Sequence, residues 1–172
     1  MEKNVGKKTT QTGLRKMEVI LTINDSGVLE NAEFDDTAGL DVESDFEEIV
    51  DYIHRAEVVI PNRVTRIGDR AFYDKRWLTG IIIPDSVTSI GEGAFSDCYY
   101  MESVTIPKSV AAIGNRAYAY CEALTCVTIM SVTVDIAQDA FFGCNKNLTI
   151  RAKTGSSAEK YADENSFRFM LI

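Results

Sequence analysis

The chain has 172 residues, with 18 Lys and Arg against 26 Asp and Glu and a formal net charge of −8. At 45% hydrophobic and 26% charged residues it has the composition of a folded protein able to bury a core without disulfides or a structural metal. A pI near 4.7 speaks against nucleic acid or anionic lipid as partner, the lack of an 18-residue apolar run against a membrane-spanning helix, and a single histidine, His54, against most His-based catalysis.

Taken in chain order, residues 1–12 are polar and read as a flexible tail. The apolar stretch Met17–Ile23 behind the early lysines is too short for an export signal and contains Glu18. No signal peptide is expected, so an intracellular protein and one whose export signal has been removed both stay open. Residues 13–57 are expected to form an N-terminal cap. Val19–Ile23, a turn at Asn24–Gly27 and Val28–Leu29 read as strand, turn and strand. Ten carboxylates and no basic residue then lie between Glu30 and Asp51. Asp41, Glu43 and Asp45 alternate as calcium ligands would, but Phe46 and Tyr52 stand where a calcium loop needs glycine and glutamate. A solvated acidic loop is the preferred reading. Apolar residues at Phe46, Ile49, Val50 and Ile53 have the spacing of an amphipathic helix, which would carry His54 on its surface.

From residue 58 to 149 the chain repeats. Pro61, Pro84 and Pro107 recur at a 23-residue step and are all its prolines. Ile60, Ile83, Ile106 and Ile129 precede the proline position; Ile67, Ile90, Ile113 and Ile136 follow it. Gly68, Gly91 and Gly114, then Ala71, Ala94, Ala117 and Ala140, then Phe72, Phe95, Tyr118 and Phe141 keep the step, and Cys98, Cys121 and Cys144 close three units. Leu78, Ile81 and Ile83 are expected to face inward, with Thr79, Gly80 and Ile82 outward. Proline ends the strand, Gly91 permits a tight bend, with positive φ as one option, and Ala94 and Phe95 pack the far side. One such unit cannot bury its apolar edge, but a stack of them can. The expected fold is an α/β repeat solenoid with one short parallel strand per 23-residue turn, mostly turns on the convex side, capped at both ends. Residues 150–172 supply the second cap. Ser156 or Ser157 would N-cap a short helix with Ala158, Tyr161 and Ala162 on its apolar stripe, followed by a strand in Phe167–Ile172.

The pattern Ile83-Pro-Asp-Ser-Val-Thr-Ser-Ile-Gly-Glu-Gly-Ala-Phe-Ser-Asp-Cys98 resembles the BspA-like, treponemal-type leucine-rich repeat. The fourth unit departs from it at Met130, Thr133 and Ala137, and the first at Arg63 and Lys75. The resemblance implies a non-catalytic bacterial cell-surface or secreted protein that adheres to host matrix proteins, such as fibronectin, or to cells. A structural spacer module and an intracellular interaction scaffold are the alternatives.

The candidate binding residues are those expected to face outward: Val59, Ile82, Thr105 and Thr128 in one row, with Thr79, Glu102 and Thr125 extending the face. Glu57, Gly80, Ser103 and Cys126 form the row between. No catalytic residue, metal site or cofactor is expected, nor nucleic acid or membrane insertion, and the chain is read as a monomer. Cys98, Cys121 and Cys144 are expected to form a buried ladder of free thiols, with Cys126 outward and open to reagents. Arg63, Arg66, Arg70, Lys75 and Arg76 form a basic cluster, read by default as a solvated edge, with a small docking patch for an acidic partner as the alternative.

Overall fold

The computed structural model of the chain describes residues 18–35 and 56–172. The acidic Asp41–Asp45 stretch, the helix expected over 46–55 with His54, and the tail over 1–12 lie outside those residues.

The repeats coil into a solenoid with two sheets. The longer strands are β3 (Ala56–Val59), β5 (Leu78–Ile82), β7 (Ser103–Ile106), β9 (Cys126–Ile129) and β11 (Thr149–Ala152), all paired in parallel with the strand of the next coil. Alternation fixes the inward face: Val58, Ile81, Val104, Val127 and Ile150 are buried, as are Ile60, Ile83, Ile106 and Ile129 two residues on. A turn follows each proline, closed by Val64 N–H to Pro61 C=O at 3.0 Å, with counterparts at Val87 and Val110.

Each coil also carries a second strand, only two residues long: β4 (Arg66–Ile67), β6 (Ser89–Ile90), β8 (Ala112–Ile113) and β10 (Asp135–Ile136). These form the second parallel sheet. The hairpin of β1 (Glu18–Ile23) and β2 (Val28–Asp35) joins it, because Val28 and Leu29 of β2 pair with Arg66 and Ile67. Leu21, Leu29 and Ala32 carry the core into the hairpin.

On the third side the turns bond coil to coil. Phe72 N–H donates to Ala94 C=O, Phe95 to Ala117 and Tyr118 to Ala140, at 2.7–2.8 Å, so this irregular backbone is satisfied without a sheet. Phe72, Phe95, Tyr118 and Phe141 stack with ring centroids 5.0–5.2 Å apart, each stacked pair adding about 1 kcal/mol beyond its burial.

Gly91 needs a different explanation from positive φ, which it does not adopt. A Cβ there would lie 2.7 Å from Asp69 N and 2.8 Å from Gly68 C, and at Gly114 the same clash recurs against Glu92 N and Gly91 C. These glycines allow one coil's backbone to rest on the next. The left-handed positions fall elsewhere, on Arg70, Gly93 and Arg116 and again on Asp74, Asp97, Tyr120 and Gly143, each set at 23-residue steps.

The register continues past Thr149, where the sequence reading placed a cap. Thr149, Ile150 and Arg151 pair with Cys126, Val127 and Thr128, one further 23-residue step along the chain. The helix α1 (Ser157–Glu164) then stands in place of a turn, and β12 (Arg168–Leu171) pairs in parallel with β11. Ser156 caps α1 by accepting from Glu159 N–H at 3.2 Å, and Ala158, Tyr161 and Ala162 are buried. The Ser157 hydroxyl donates to Val134 C=O at 2.6 Å and that of Tyr161 to Gln138 C=O at 3.2 Å, tying the helix to the preceding coil.

Candidate binding face

The outer side of the long-strand sheet is a set of rows, each built from one residue per strand. Val59, Ile82, Thr105 and Thr128 pair in succession, and the row goes on through Arg151 to Met170. Glu57, Gly80, Ser103, Cys126, Thr149 and Arg168 form the neighbouring row. Ile82 is 49% exposed, Thr105 is exposed, and Val59 and Thr128 are half-buried between their neighbours. Thr79, Glu102 and Thr125 continue the face at the strands' leading ends, linked by Glu102 N–H to Thr79 C=O at 3.2 Å and Thr125 N–H to Glu102 C=O at 3.0 Å. Glu102 and Thr125 are exposed; Thr79 is half-buried. All seven candidate residues therefore lie on one surface.

Sequence reasoning missed Thr149, Arg151, Arg168 and Met170. Two of them carried a signal, because Thr149 and Arg151 stand one full 23-residue step after Cys126 and Thr128. Met170 falls short of a full step beyond Arg151, since α1 is shorter than the turn it replaces, so no period marks it.

Six strands about 4.8 Å apart make a face about 24 Å wide and roughly 13 Å along the strands, on the order of 300 Å². A standard protein interface uses about 800 Å² per partner. The face therefore suits a narrow ligand, such as one extended segment, better than a broad globular surface.

The cysteines separate as the repeat dictates. The Cys98 and Cys121 thiols are buried and donate to Phe72 C=O and Phe95 C=O at 3.1 Å; Cys144, half-buried, donates to Tyr118 C=O at 2.9 Å. Burial pushes the Cys98 thiol up to about 12, and the Cys144 side chain together with burial holds Cys121 well above the usual thiol range. Cys98 and Cys121 are therefore protonated at neutral pH, whereas the Cys121 side chain shifts the Cys144 thiol down. Cys126 is half-buried on the outer face rather than fully open.

Other candidate sites are less promising. In the basic cluster Arg66 meets Asp69 at 3.4 Å and Arg76 meets Asp74 at 3.1 Å, and the Arg70 guanidinium lies 5.9 Å from the Tyr73 ring centroid. Such exposed pairs contribute at most about 1 kcal/mol each. A cavity of about 620 Å³ opens where α1 replaces a turn, walled by Phe141, Phe142, Tyr161 and Phe167. Among the described residues no group of three or more His, Cys, Asp and Glu could hold a metal ion, and no helix is long and apolar enough to cross a membrane.

The repeat signature and the two-sheet coil agree with the sequence comparison. The model of the BspA type leucine-rich repeat region matches residues 48–168 in 6 copies, and the chain belongs to this family. Repeat solenoids of this class present extended surfaces to protein partners. A leucine-rich repeat protein from Bacteroides ovatus superposes with TM-score 0.54 at 27% identity over 67% of this chain and 30% of that one. One from Bacteroides capillosus superposes with TM-score 0.55 at 25% identity over 84% of this chain and 98% of that one. A leucine-rich repeat protein of T. pallidum, at 18% identity and TM-score 0.51, over 84% of this chain and 71% of that one, shares the fold. The chain spans about a third of the length of the Bacteroides ovatus protein. No curated protein sequence matches the chain.

Proposed function

We propose that the chain is a non-catalytic protein-binding module of a bacterial cell-surface or secreted leucine-rich repeat protein, and that it adheres to host matrix proteins or cells through the outer face of its long strands. The observation that carries this reading is the face itself. The parallel pairing of successive strands places Val59, Ile82, Thr105 and Thr128 in one row, with small or uncharged residues beside most of it. Backbone fixed on both sides by neighbouring strands costs little to hold in place when a ligand binds. The family membership supports a role in interaction; location at the cell surface, the matrix ligand and the absence of catalysis belong to the proposal.

The test is solution binding to a panel of matrix proteins, fibronectin among them, at physiological salt, beside a Thr105→Glu/Thr128→Glu variant. Binding that the folded variant loses by tenfold or more supports the face. No binding at tens of micromolar would favour a spacer module without a ligand of its own.

A further inference from the structure

The outer face is chemically uneven. Its middle, from Ile82 through Thr105 to Thr128 and from Gly80 through Ser103 to Cys126, carries no charge. Its last two strands are cationic: Arg151 alternates outward on β11 with Lys153 just beyond it, and Arg168 stands on β12 beside Thr149. All three are exposed. Elsewhere Arg66, Arg76, Arg116 and Lys160 each meet a carboxylate within 3.6 Å, whereas Arg151, Lys153 and Arg168 have no carboxylate within ion-pair distance among the described residues. The carboxylates of this face, Glu57 and Glu102, stand on or beside strands nearer its other end. In a chain of net charge −8, three cations on two neighbouring strands of the outer face, with no carboxylate at ion-pair distance among the described residues, are a local reversal of sign.

We infer that the face takes an extended acidic protein segment lying across the strands, with its carboxylates on Arg151, Lys153 and Arg168 and small or apolar side chains over Thr128, Thr105 and Ile82. The inference rests on the proposed use of this face. Geometry and charge both support it. The width of about 24 Å matches roughly seven residues of extended chain. Arg151 and Arg168 sit diagonally on neighbouring strands, with side-chain origins about 8 Å apart, close enough for their guanidiniums to hold one carboxylate or two successive ones. Guanidinium groups suit carboxylates through paired, planar hydrogen bonds.

The experiment is an NMR titration of the whole chain with acetyl-hexaglutamate amide at low ionic strength, with hexalysine and a heparin hexasaccharide in parallel. Backbone and arginine side-chain signals of residues 149–153 and 168–171 should shift with hexaglutamate and not with hexalysine. Arg151→Gln/Arg168→Gln should weaken the effect about fivefold or more. Lys146→Gln/Lys160→Gln, the same change of charge off the face, should not. The inference is overturned if hexaglutamate shifts nothing, if the shifts fall on Arg63–Arg76, if both double variants respond alike, or if only the sulfated sugar binds. Should a matrix partner be lost with Thr105→Glu/Thr128→Glu but kept with Arg151→Gln/Arg168→Gln, the face remains the binding surface and the acidic-segment inference alone fails.

Discussion

Tyr118 occupies a place where the other three coils have phenylalanine. Its ring stacks on Phe95 and Phe141 like theirs, but its hydroxyl is buried and has no hydrogen-bond partner among the described residues. Burial holds that phenol well above its ordinary pKa, so it is a neutral, unpaired group. An unsatisfied hydroxyl in such a place costs about 1–3 kcal/mol, while the ring's contribution is the same in phenylalanine. Tyr118→Phe is therefore expected to stabilise the fold by about 1 kcal/mol, read as a higher urea midpoint at unchanged slope. A lower midpoint would mean that the hydroxyl is engaged, with the nearby thiols as the first suspects. Single residues also mark where the sequence was mute. Arg70, Arg116 and Tyr120 adopt positive φ, yet nothing in their chemistry announces it, because the coil imposes the conformation and such a residue bears a cost of about 1–2 kcal/mol.

Among the elements of the coils, α1 departs from the repeat by standing where the others have a turn. Eight residues are too short to be helical alone. Its start depends on Ser156, whose buried side chain accepts from Glu159 N–H, and its flank on Ser157 and Tyr161 bonding the preceding coil. Ser156→Ala should cost about 1 kcal/mol and release β12 first. Amide exchange of Arg168–Leu171 should then accelerate more than that of β7; equal acceleration would show that helix and coils unfold as one unit. The long strands and the seven candidate residues were legible because a 23-residue period combined with alternation leaves only one face to point outward. The two-residue strands were not, since two residues carry no alternation. The ladder's extension into β11 showed only in the 23-residue step to Thr149 and Arg151, because Ala152 and Lys153 replace the Ile-Pro pair by which a strand's end is recognised.

At the scale of the molecule, each coil touches only its neighbours, so stability is close to a sum of coils and the contacts between them. The register makes this testable. Removing residues 84–106 joins Ile83 to Pro107 and leaves Phe72 facing Tyr118 and Gly68 facing Gly114. That protein should keep the far-ultraviolet signature of a parallel β coil and lose part of its urea resistance. Removing 85–106 instead, one residue fewer, displaces every later side chain by one position and should yield an unfolded or aggregated product. If both fold alike, register is not what holds the stack.

The glycines at 68, 91 and 114 extend the same point. Each lets its coil lie flush on the one before, and each coil thereby offers its successor the surface that it received. A gene encoding such a chain can gain or lose twenty-three codons by misaligned recombination between its own repeats without spoiling either junction. The heritable unit of change is then the whole coil, and the length of the outer face is open to variation in steps while its chemistry drifts one codon at a time.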